Sequence, residues 1–190
     1  MSLNLEEPET GHFNGRKGKE SISFRFHKPV MDELREEAEQ KNESLNVLIN
    51  KILCSYVKWY KPSYKAGNLF FSKDLLVRIF DALTDEQIAN IASEYVKDEF
   101  KELIQILGGD CTFPSYVHMM SIWCEFSGFS YTHQNADDNR THIISIRFDM
   151  GRNWSLFMKN FTQKVCEELK VKNLGCTITS SSIIFKYEDG

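Results

Sequence analysis

Hydrophobic and polar residues alternate strictly in one short segment near the start of the chain. The sequence SISFRF, residues 21–26, places serine and arginine on one face of an extended backbone and large apolar side chains on the other. This pattern predicts a half-buried β-strand. The polar face carries Ser21, Ser23 and Arg25, and the apolar face carries Ile22, Phe24 and Phe26. No second strand pattern occurs before residue 129, so the sequence offers this strand no neighbour close by.

Helical spacing follows the strand at once. Pro29 suits the first turn of a helix, and apolar residues recur along one stripe of residues 30–38. Asn42 predicts a left-handed helix end, and Ser44 predicts the N-cap of a second helix. The apolar stripe of that second helix consists of Leu45, Leu48, Ile49, Ile52, Leu53, Tyr56 and Tyr60.

The middle of the chain predicts a linker and two further helices. Residues 60–68, YKPSYKAGN, combine Pro, Gly and small polar residues, which is typical of a linker. Helices are expected from about residue 72 to 82 and from residue 84 to the glycine pair that begins at Gly108. The second of these starts with a capping box, TDEQ, and is expected to be one long helix.

A pattern of helix, strand and strand then occurs twice. The first copy is helix 114–126 with strands 129–135 and 141–148, and the second is helix 152–170 with strands 175–179 and 182–188. The two hairpins predict one four-stranded antiparallel sheet covered by helices, an α+β fold. The expected layout is a flexible basic tail (1–19), a first domain (20–60), a linker (61–71) and a helical plus α+β domain (72–190).

Charge is distributed unevenly along the chain of 190 residues, whose net charge is −4. Residues 15–28 contain five basic residues and one acidic residue, a local charge of +4. Residues 29–43 contain six acidic and two basic residues, a local charge of −4. Any nucleic-acid surface is therefore expected on the strand and the arm that precedes it, with the acidic helix facing away.

The sequence also predicts a cellular compartment. No apolar run is long enough to cross a bilayer and no charged leader with an apolar core begins at Met1, which predicts a cytoplasmic protein. The five cysteines form no CxxC pair and are expected to be reduced thiols, mostly buried. They are Cys54, Cys111, Cys124, Cys166 and Cys176.

An isolated strand leaves a row of unmet backbone N–H and C=O groups, which proteins cover or pair. The simplest closure is an antiparallel ribbon formed with the same strand of a second chain, so we expect a homodimer. The alternative is pairing of this strand with the C-terminal sheet of its own chain. The predicted dimer core consists of Ile22, Phe24, Phe26, Leu34, Leu48, Ile49 and Ile52.

Residues 21–56 resemble the ribbon-helix-helix family of transcriptional regulators, of the MetJ, Arc and CopG type. The resemblance implies an N-terminal ribbon-helix-helix domain whose two-stranded ribbon enters the major groove of double-stranded DNA. Its three base-reading positions correspond to Ser21, Ser23 and Arg25. Asn42 stands where the family usually has Gly. The backbone N–H groups at the start of the second helix form a natural phosphate clamp. The expected phosphate contacts are Lys17, Lys19, Lys28, Ser44, Leu45 and Asn46.

No motif for catalysis stands out, so we expect neither an enzyme nor a cofactor. His133 and His142 lie on the two arms of one predicted hairpin, where they could approach each other. Together with His118, Cys111 and Cys124 they raise a metal hypothesis, but surface histidines are the commoner outcome and no metal site is predicted. Two aromatic-rich stripes predict core, with a ligand-pocket wall as the alternative. They consist of Trp154, Phe157, Met158, Phe161, Val165 and Leu169, and of Phe113, Tyr116, Trp123, Phe126, Phe129 and Tyr131.

These patterns together predict a dimeric DNA-binding transcriptional regulator, a repressor, with no membrane partner. Residues 72–190 are expected to sense an unknown small-molecule effector or to add an oligomer contact. One alternative is an antitoxin whose C-terminal region neutralises a partner protein by protein–protein contact. Another is an architectural protein that binds DNA without sequence preference.

Overall fold

A computed structural model describes residues 22–107, 109–136, 141–171 and 174–188 of the chain. The chain divides into two compact units, Met1–Ile49 and Asn50–Gly190. The division falls inside the second helix, earlier than the end of the first domain expected near residue 60. Among the helices in the described ranges, none combines the length and the hydrophobicity that a bilayer span requires.

The two helices predicted after residue 28 are present, and the second of them continues from the first unit into the second. Helix α1 spans Lys28–Gln40, with a proline in its first turn, and helix α2 spans Leu45–Ser55. Asn42 adopts a φ of 52°, and the amides of Asn42 and Glu43 bond back to the carbonyls of Glu39 and Ala38. This is the Schellman geometry of a left-handed helix end. The amide of Val47 donates to Ser44 Oγ over 3.3 Å. Both predictions, the left-handed Asn42 and the Ser44 cap, are confirmed.

The segment before α1 has no regular secondary structure in the single chain. Residues 22–27 form neither helix nor strand, and Ser21 lies outside the described residues. Within the described ranges, residues 22–26 make no backbone hydrogen bond. A β-strand exists only where a neighbouring strand accepts and donates those bonds. The strand at 21–26, and the ribbon-helix-helix that needs it, therefore stay predictions.

The second unit begins with helical structure where a linker was expected. A π-helical turn, Tyr56–Tyr60, follows α2 directly, and α3 spans Lys61–Lys65. The assignment of residues 60–68 as a linker is therefore wrong up to Lys65. Pro62 caused the error, because proline is tolerated in the first helical turn, where it lies here.

Three helices follow a short connection. They are α4 (Lys73–Asp81), α5 (Asp85–Asp98) and α6 (Phe100–Leu107). The capping box at Thr84 and Gln87 is confirmed. The expectation of one long helix is wrong, because Glu99 leaves helical geometry at φ −121° and separates α5 from α6.

The rest of the second unit confirms the doubled pattern. Its elements are α7 (Phe113–Ser127), β1 (Ser130–Asn135), β2 (Thr141–Arg147), α8 (Gly151–Glu168), β3 (Gly175–Ile178) and β4 (Ser182–Glu188). The strands form one antiparallel sheet in the order β1-β2-β4-β3. The α+β class and the four-stranded antiparallel sheet are therefore confirmed.

Helices cover one face of this sheet and bury the core of the second unit. Helix α8 packs on β3 and β4, α7 packs on β1, and α5 packs on α8. Ile144, Ile146, Ile183 and Phe185 project from the central strands and are fully buried. Their alternation with more exposed neighbours is the pattern of a sheet with one face in the core.

Candidate functional site

The described part of the first unit exposes its largest apolar side chains. Ile22, Phe24 and Phe26 are 64%, 61% and 47% exposed. The rings of Phe24 and Phe26 lie with centroids 6.0 Å apart. Alternate residues of an extended chain point to the same side, so this contact agrees with the predicted period of two.

The predicted base-reading residues within the described range lie in solvent. Ser23, Arg25 and Lys28 are exposed. Arg25 makes no hydrogen bond or ion pair to any residue in the described ranges. The predictions for Ser21, Lys17 and Lys19 fall on residues outside the described ranges. Of the proposed base contacts, Ser23 and Arg25 are thus available to a ligand.

The residues predicted to contact phosphate at the start of the second helix lie at the N-terminus of α2. Ser44 caps the helix, Leu45 begins it and Asn46 follows in its first turn. The side chains of Ser44 and Asn46 are exposed, and that of Leu45 is half-buried. A helix N-terminus carries a partial positive charge from its aligned peptide dipoles, which favours an anion.

The predicted dimer-core residues differ in burial. Leu48 is buried, Leu34 and Ile49 are half-buried, and Ile52 is exposed like the three residues of the 22–26 segment. Val30 and Val47 are further exposed apolar residues of the first unit that lie outside the predicted dimer core. The position of Val30 in the apolar stripe of residues 30–38 was the signal that could have found it, whereas Val47 lies outside the stripe predicted for the second helix.

An apolar cavity lies in the second unit and was not predicted as a site. Its volume is about 560 Å³. Aromatic and methionine side chains of α7 and α8 supply much of its wall, including Met120, Trp123, Phe126, Trp154, Phe157 and Phe161. Five of these six, all but Met120, belong to the two stripes that the sequence assigned to core, with a pocket wall as the alternative. Trp154 and Phe161 are both core members and cavity wall, so the two interpretations hold together.

One side of the cavity is formed by the connection between α3 and α4. Leu69, Phe70 and Phe71 line it and are also largely exposed to solvent. Single exposed apolar residues are common, but three consecutive large ones in a surface connection form a contiguous apolar patch. Such patches often mark binding sites. This LFF run was the sequence signal for the cavity, and it lay within the stretch assigned to linker.

Two residues that line the cavity each carry a buried polar atom without a hydrogen-bond partner in the described structure. The two atoms are Ser63 Oγ and Trp154 Nε1. Their residues are only 1% and 7% exposed. Buried polar groups are nearly always hydrogen-bonded, so each unpartnered atom calls for an explanation.

The cavity is too large to be an ordinary packing gap. At about 24 cal/mol per Å³, a closed and empty space of 560 Å³ would cost roughly 13 kcal/mol. A typical domain has a total stability of about 5–15 kcal/mol. The cavity is in fact open to solvent, as small-molecule sites are.

The expected approach of His133 and His142 across their hairpin is confirmed. His133 Nε2 and His142 Nδ1 lie 3.0 Å apart across the β1–β2 hairpin, and the ring of His142 stacks on Tyr187 at 4.7 Å. No group of three or more metal-binding side chains occurs in the described ranges. His118 lies on α7, where burial lowers its pKa, and the positive charge of Lys58 lowers it further.

The cysteines are free thiols in different settings. Cys124 and Cys166 are buried, Cys111 and Cys176 are half-buried, and Cys54 is exposed. Burial raises the pKa of Cys124 and of Cys166 to about 12. Both therefore remain protonated at neutral pH, and a protonated thiol is a poor nucleophile.

Comparison with known proteins adds no family to these observations. No model of a known protein family matches the chain, and no curated protein matches it either.

Proposed function

We propose that the chain is a DNA-binding transcriptional regulator, a repressor, whose homodimer inserts a two-stranded ribbon into the major groove. One observation carries the proposal. The segment 22–26 exposes an apolar face and makes no backbone hydrogen bond within the described residues, while Ser23 and Arg25 occupy its other face. A second copy of this segment supplies both the missing bonds and the missing apolar contact.

The turn between α1 and α2 supports the same proposal. Asn42 ends α1 in left-handed geometry and Ser44 opens α2, so the N-terminus of α2 follows the ribbon segment after one helix and one turn. In the proposed complex this N-terminus holds a phosphate while the ribbon reads bases. The acidic residues of α1 then face away from the DNA.

Selection from a random library of double-stranded DNA tests this function directly. We expect the full chain to enrich a sequence with two related half-sites, because a twofold protein reads a twofold operator. The affinity for that sequence should exceed the affinity for a shuffled duplex by about 10³-fold or more at physiological salt. Equal affinity for the two duplexes would favour an architectural protein, and no binding to either would overturn the proposal.

Arg25→Ala tests the role of the ribbon face. A good bidentate base contact contributes about 1–3 kcal/mol, and the dimer has two copies, so we expect operator affinity to fall roughly 100-fold. The dimer should persist, as sedimentation would show. Arg35→Ala is the matched control, because Arg35 is an exposed arginine of α1 that pairs with Asp32 at 3.1 Å. Unchanged operator affinity in Arg25→Ala would contradict the assignment.

The antitoxin alternative predicts a different kind of C-terminal region. Antitoxin segments that wrap a partner are short and gain order on binding, whereas the second unit has an α+β core of its own. That core supports a sensing domain. Limited proteolysis separates the two: a resistant fragment that begins near residue 50 supports the regulator, and rapid degradation of residues 72–190 supports the antitoxin.

A further inference from the structure

The cavity of the second unit has the size and chemistry of a small-molecule site. Its volume of about 560 Å³ lies within the range of about 300–1,000 Å³ that is usual for ligand pockets. Tryptophan and phenylalanine offer large flat contact surfaces, and methionine adapts its shape to a ligand. The walls therefore suit a molecule whose body is mainly apolar.

The unpartnered polar atoms specify what else the molecule carries. The Trp154 indole N–H is a donor only, so its missing partner is an acceptor. The Ser63 hydroxyl can donate or accept, so it fits the same kind of group. An oxygen atom in an otherwise apolar ligand would satisfy Trp154 without burying a new unpaired donor.

We propose that this cavity binds a mainly apolar small molecule whose oxygen acceptor receives a hydrogen bond from Trp154 Nε1, with Ser63 Oγ as a second polar contact. That this molecule is the effector of a DNA-binding regulator rests on the proposed function. Binding in the cavity is independent of it.

The oxygen acceptor can belong either to a neutral group or to a carboxylate, and these two ligand classes differ in charge. A neutral ketone, ester or alcohol needs only the two neutral partners. A carboxylate also needs an opposite charge nearby, because an unpaired buried charge is costly. Lys73 is the one charged side chain among the described lining residues. Binding of an acid should therefore depend on Lys73, and binding of a neutral molecule should not.

Tryptophan fluorescence reports directly on occupancy. The chain has three tryptophans, Trp59, Trp123 and Trp154, and all three line the cavity. We would titrate the full chain with 2-decanone, decanoate and decyltrimethylammonium, all below micelle formation. A saturable change with 2-decanone or decanoate supports the site. No saturable change with any probe overturns it. Equal affinity for decyltrimethylammonium, which has no acceptor, overturns the role of the oxygen.

Substitutions then test the named atoms. Trp154→Phe keeps an aromatic ring and removes the N–H, so the affinity for 2-decanone should fall about three- to tenfold, as for the loss of one hydrogen bond. Ser63→Ala should weaken binding in the same direction, and it serves where Trp154→Phe fails to fold. Unchanged affinity in both variants overturns the proposed polar contacts.

The substitution Lys73→Gln should lower the affinity for decanoate and leave the affinity for 2-decanone unchanged. Lys97→Gln is the matched control, because Lys97 is exposed on α5 and outside the lining. Stronger binding of decanoate than of 2-decanone, lost in Lys73→Gln, identifies an acid as the ligand class. An equal fall in the control would overturn the role of Lys73.

The failure of this site and the failure of the proposed function give different results. A saturable fluorescence change in a chain that binds no selected DNA sequence supports the cavity and overturns the regulator. Sequence-selective DNA binding in a chain that binds no probe overturns the cavity and leaves the regulator intact.

Discussion

The two units of the chain differ in how they bury apolar surface. In the described part of the first unit, Ala38 and Leu48 are the only buried residues, while Phe24 and Phe26 lie in solvent. The second unit instead closes helices over a sheet around a large continuous core. So short a segment cannot offset its conformational entropy with two buried residues. The second unit has a continuous core of its own, whereas the proposed function gives the first unit its missing apolar contacts from a second chain.

A charged residue on the exposed apolar face of residues 22–26 should have the largest effect on the proposed dimer. Phe24→Arg removes roughly 1.5–3 kcal/mol of burial from each chain of the proposed dimer and adds two charges to its core. We expect the dimer to dissociate and the first unit to lose its structure, while the second unit stays folded. Sedimentation velocity and limited proteolysis would measure the two effects.

Ser23→Arg is the matched control for that experiment. It adds the same charge one residue away, on the face proposed to meet DNA, so the dimer should survive. A stable dimer in Phe24→Arg, or equal dissociation in both variants, would contradict the alternation of faces in residues 21–26.

Local sequence signals predicted the first two helices and the elements of the sheet domain well, because each rested on a local cause. Asn42 and Ser44 ended and began helices as residues of their type do. Two paired β-strand patterns gave the sheet. One long helix was predicted where Glu99 separates two, and no Gly or Pro marks that break. A linker was predicted where Pro62 lies in the first turn of α3. The first error had no Gly or Pro as a local signal, and the second arose because proline occurs both in linkers and in first helical turns.

The two candidate sites, the ribbon face and the cavity, also differ in how far a local sequence pattern can predict them. The ribbon face is a prediction that rests on a period of two in six consecutive residues, and such a period is visible in the sequence alone. The cavity is assembled from segments as distant as Trp59 and Phe161, and Ser63 gave no sign that its hydroxyl would be buried without a partner. A cavity is a property of packing between elements, so a local signal such as the LFF run can mark one wall but not the space that the walls enclose.

A buried hydrogen bond tests whether the second unit is independent of the first. Tyr116 Oη and Thr162 Oγ1 lie 2.9 Å apart, and both residues are fully buried. Tyr116→Phe leaves Thr162 without this partner, so the free energy of unfolding of the second unit should fall by about 1–3 kcal/mol. Urea denaturation would measure the fall, and the dimer should be unaffected.

The double variant Tyr116→Phe/Thr162→Val is the control for this pair. It removes both polar groups, so its stability should lie closer to the wild type than the sum of the two single changes. Strictly additive losses would mean that the two hydroxyls do not interact.

Removing a polar group from the cavity wall should stabilise the unliganded protein. Ser63→Ala deletes a buried hydroxyl that has no partner in the described structure, so the free energy of unfolding should rise by about 1 kcal/mol. Ser127→Ala, in an exposed part of the lining, should change stability little. Thermal unfolding would show the shift, and a lower midpoint in Ser63→Ala would mean that its hydroxyl is already satisfied.

The smallest expected effect is a dependence of stability on pH through His118. Burial lowers the pKa of this imidazole below its usual value near 6.5, and Lys58 lowers it further. Below about pH 6.5 the unfolded chain therefore binds a proton that the folded chain excludes. The contribution of His118 to stability is complete at neutral pH and is lost as the pH falls towards its folded pKa.

Urea midpoints between about pH 7.5 and 5.5, with NMR titration of the His118 ring, measure this contribution. His118→Gln should flatten the slope of the urea midpoint against pH, since it removes the titrating group. Lys58→Gln should raise the pKa of His118 and flatten the slope only in part. A His118 pKa at or above its usual value would contradict burial on α7. A slope that also disappeared in Phe24→Arg would show that the second unit depends on the first, against the comparison from which these predictions start.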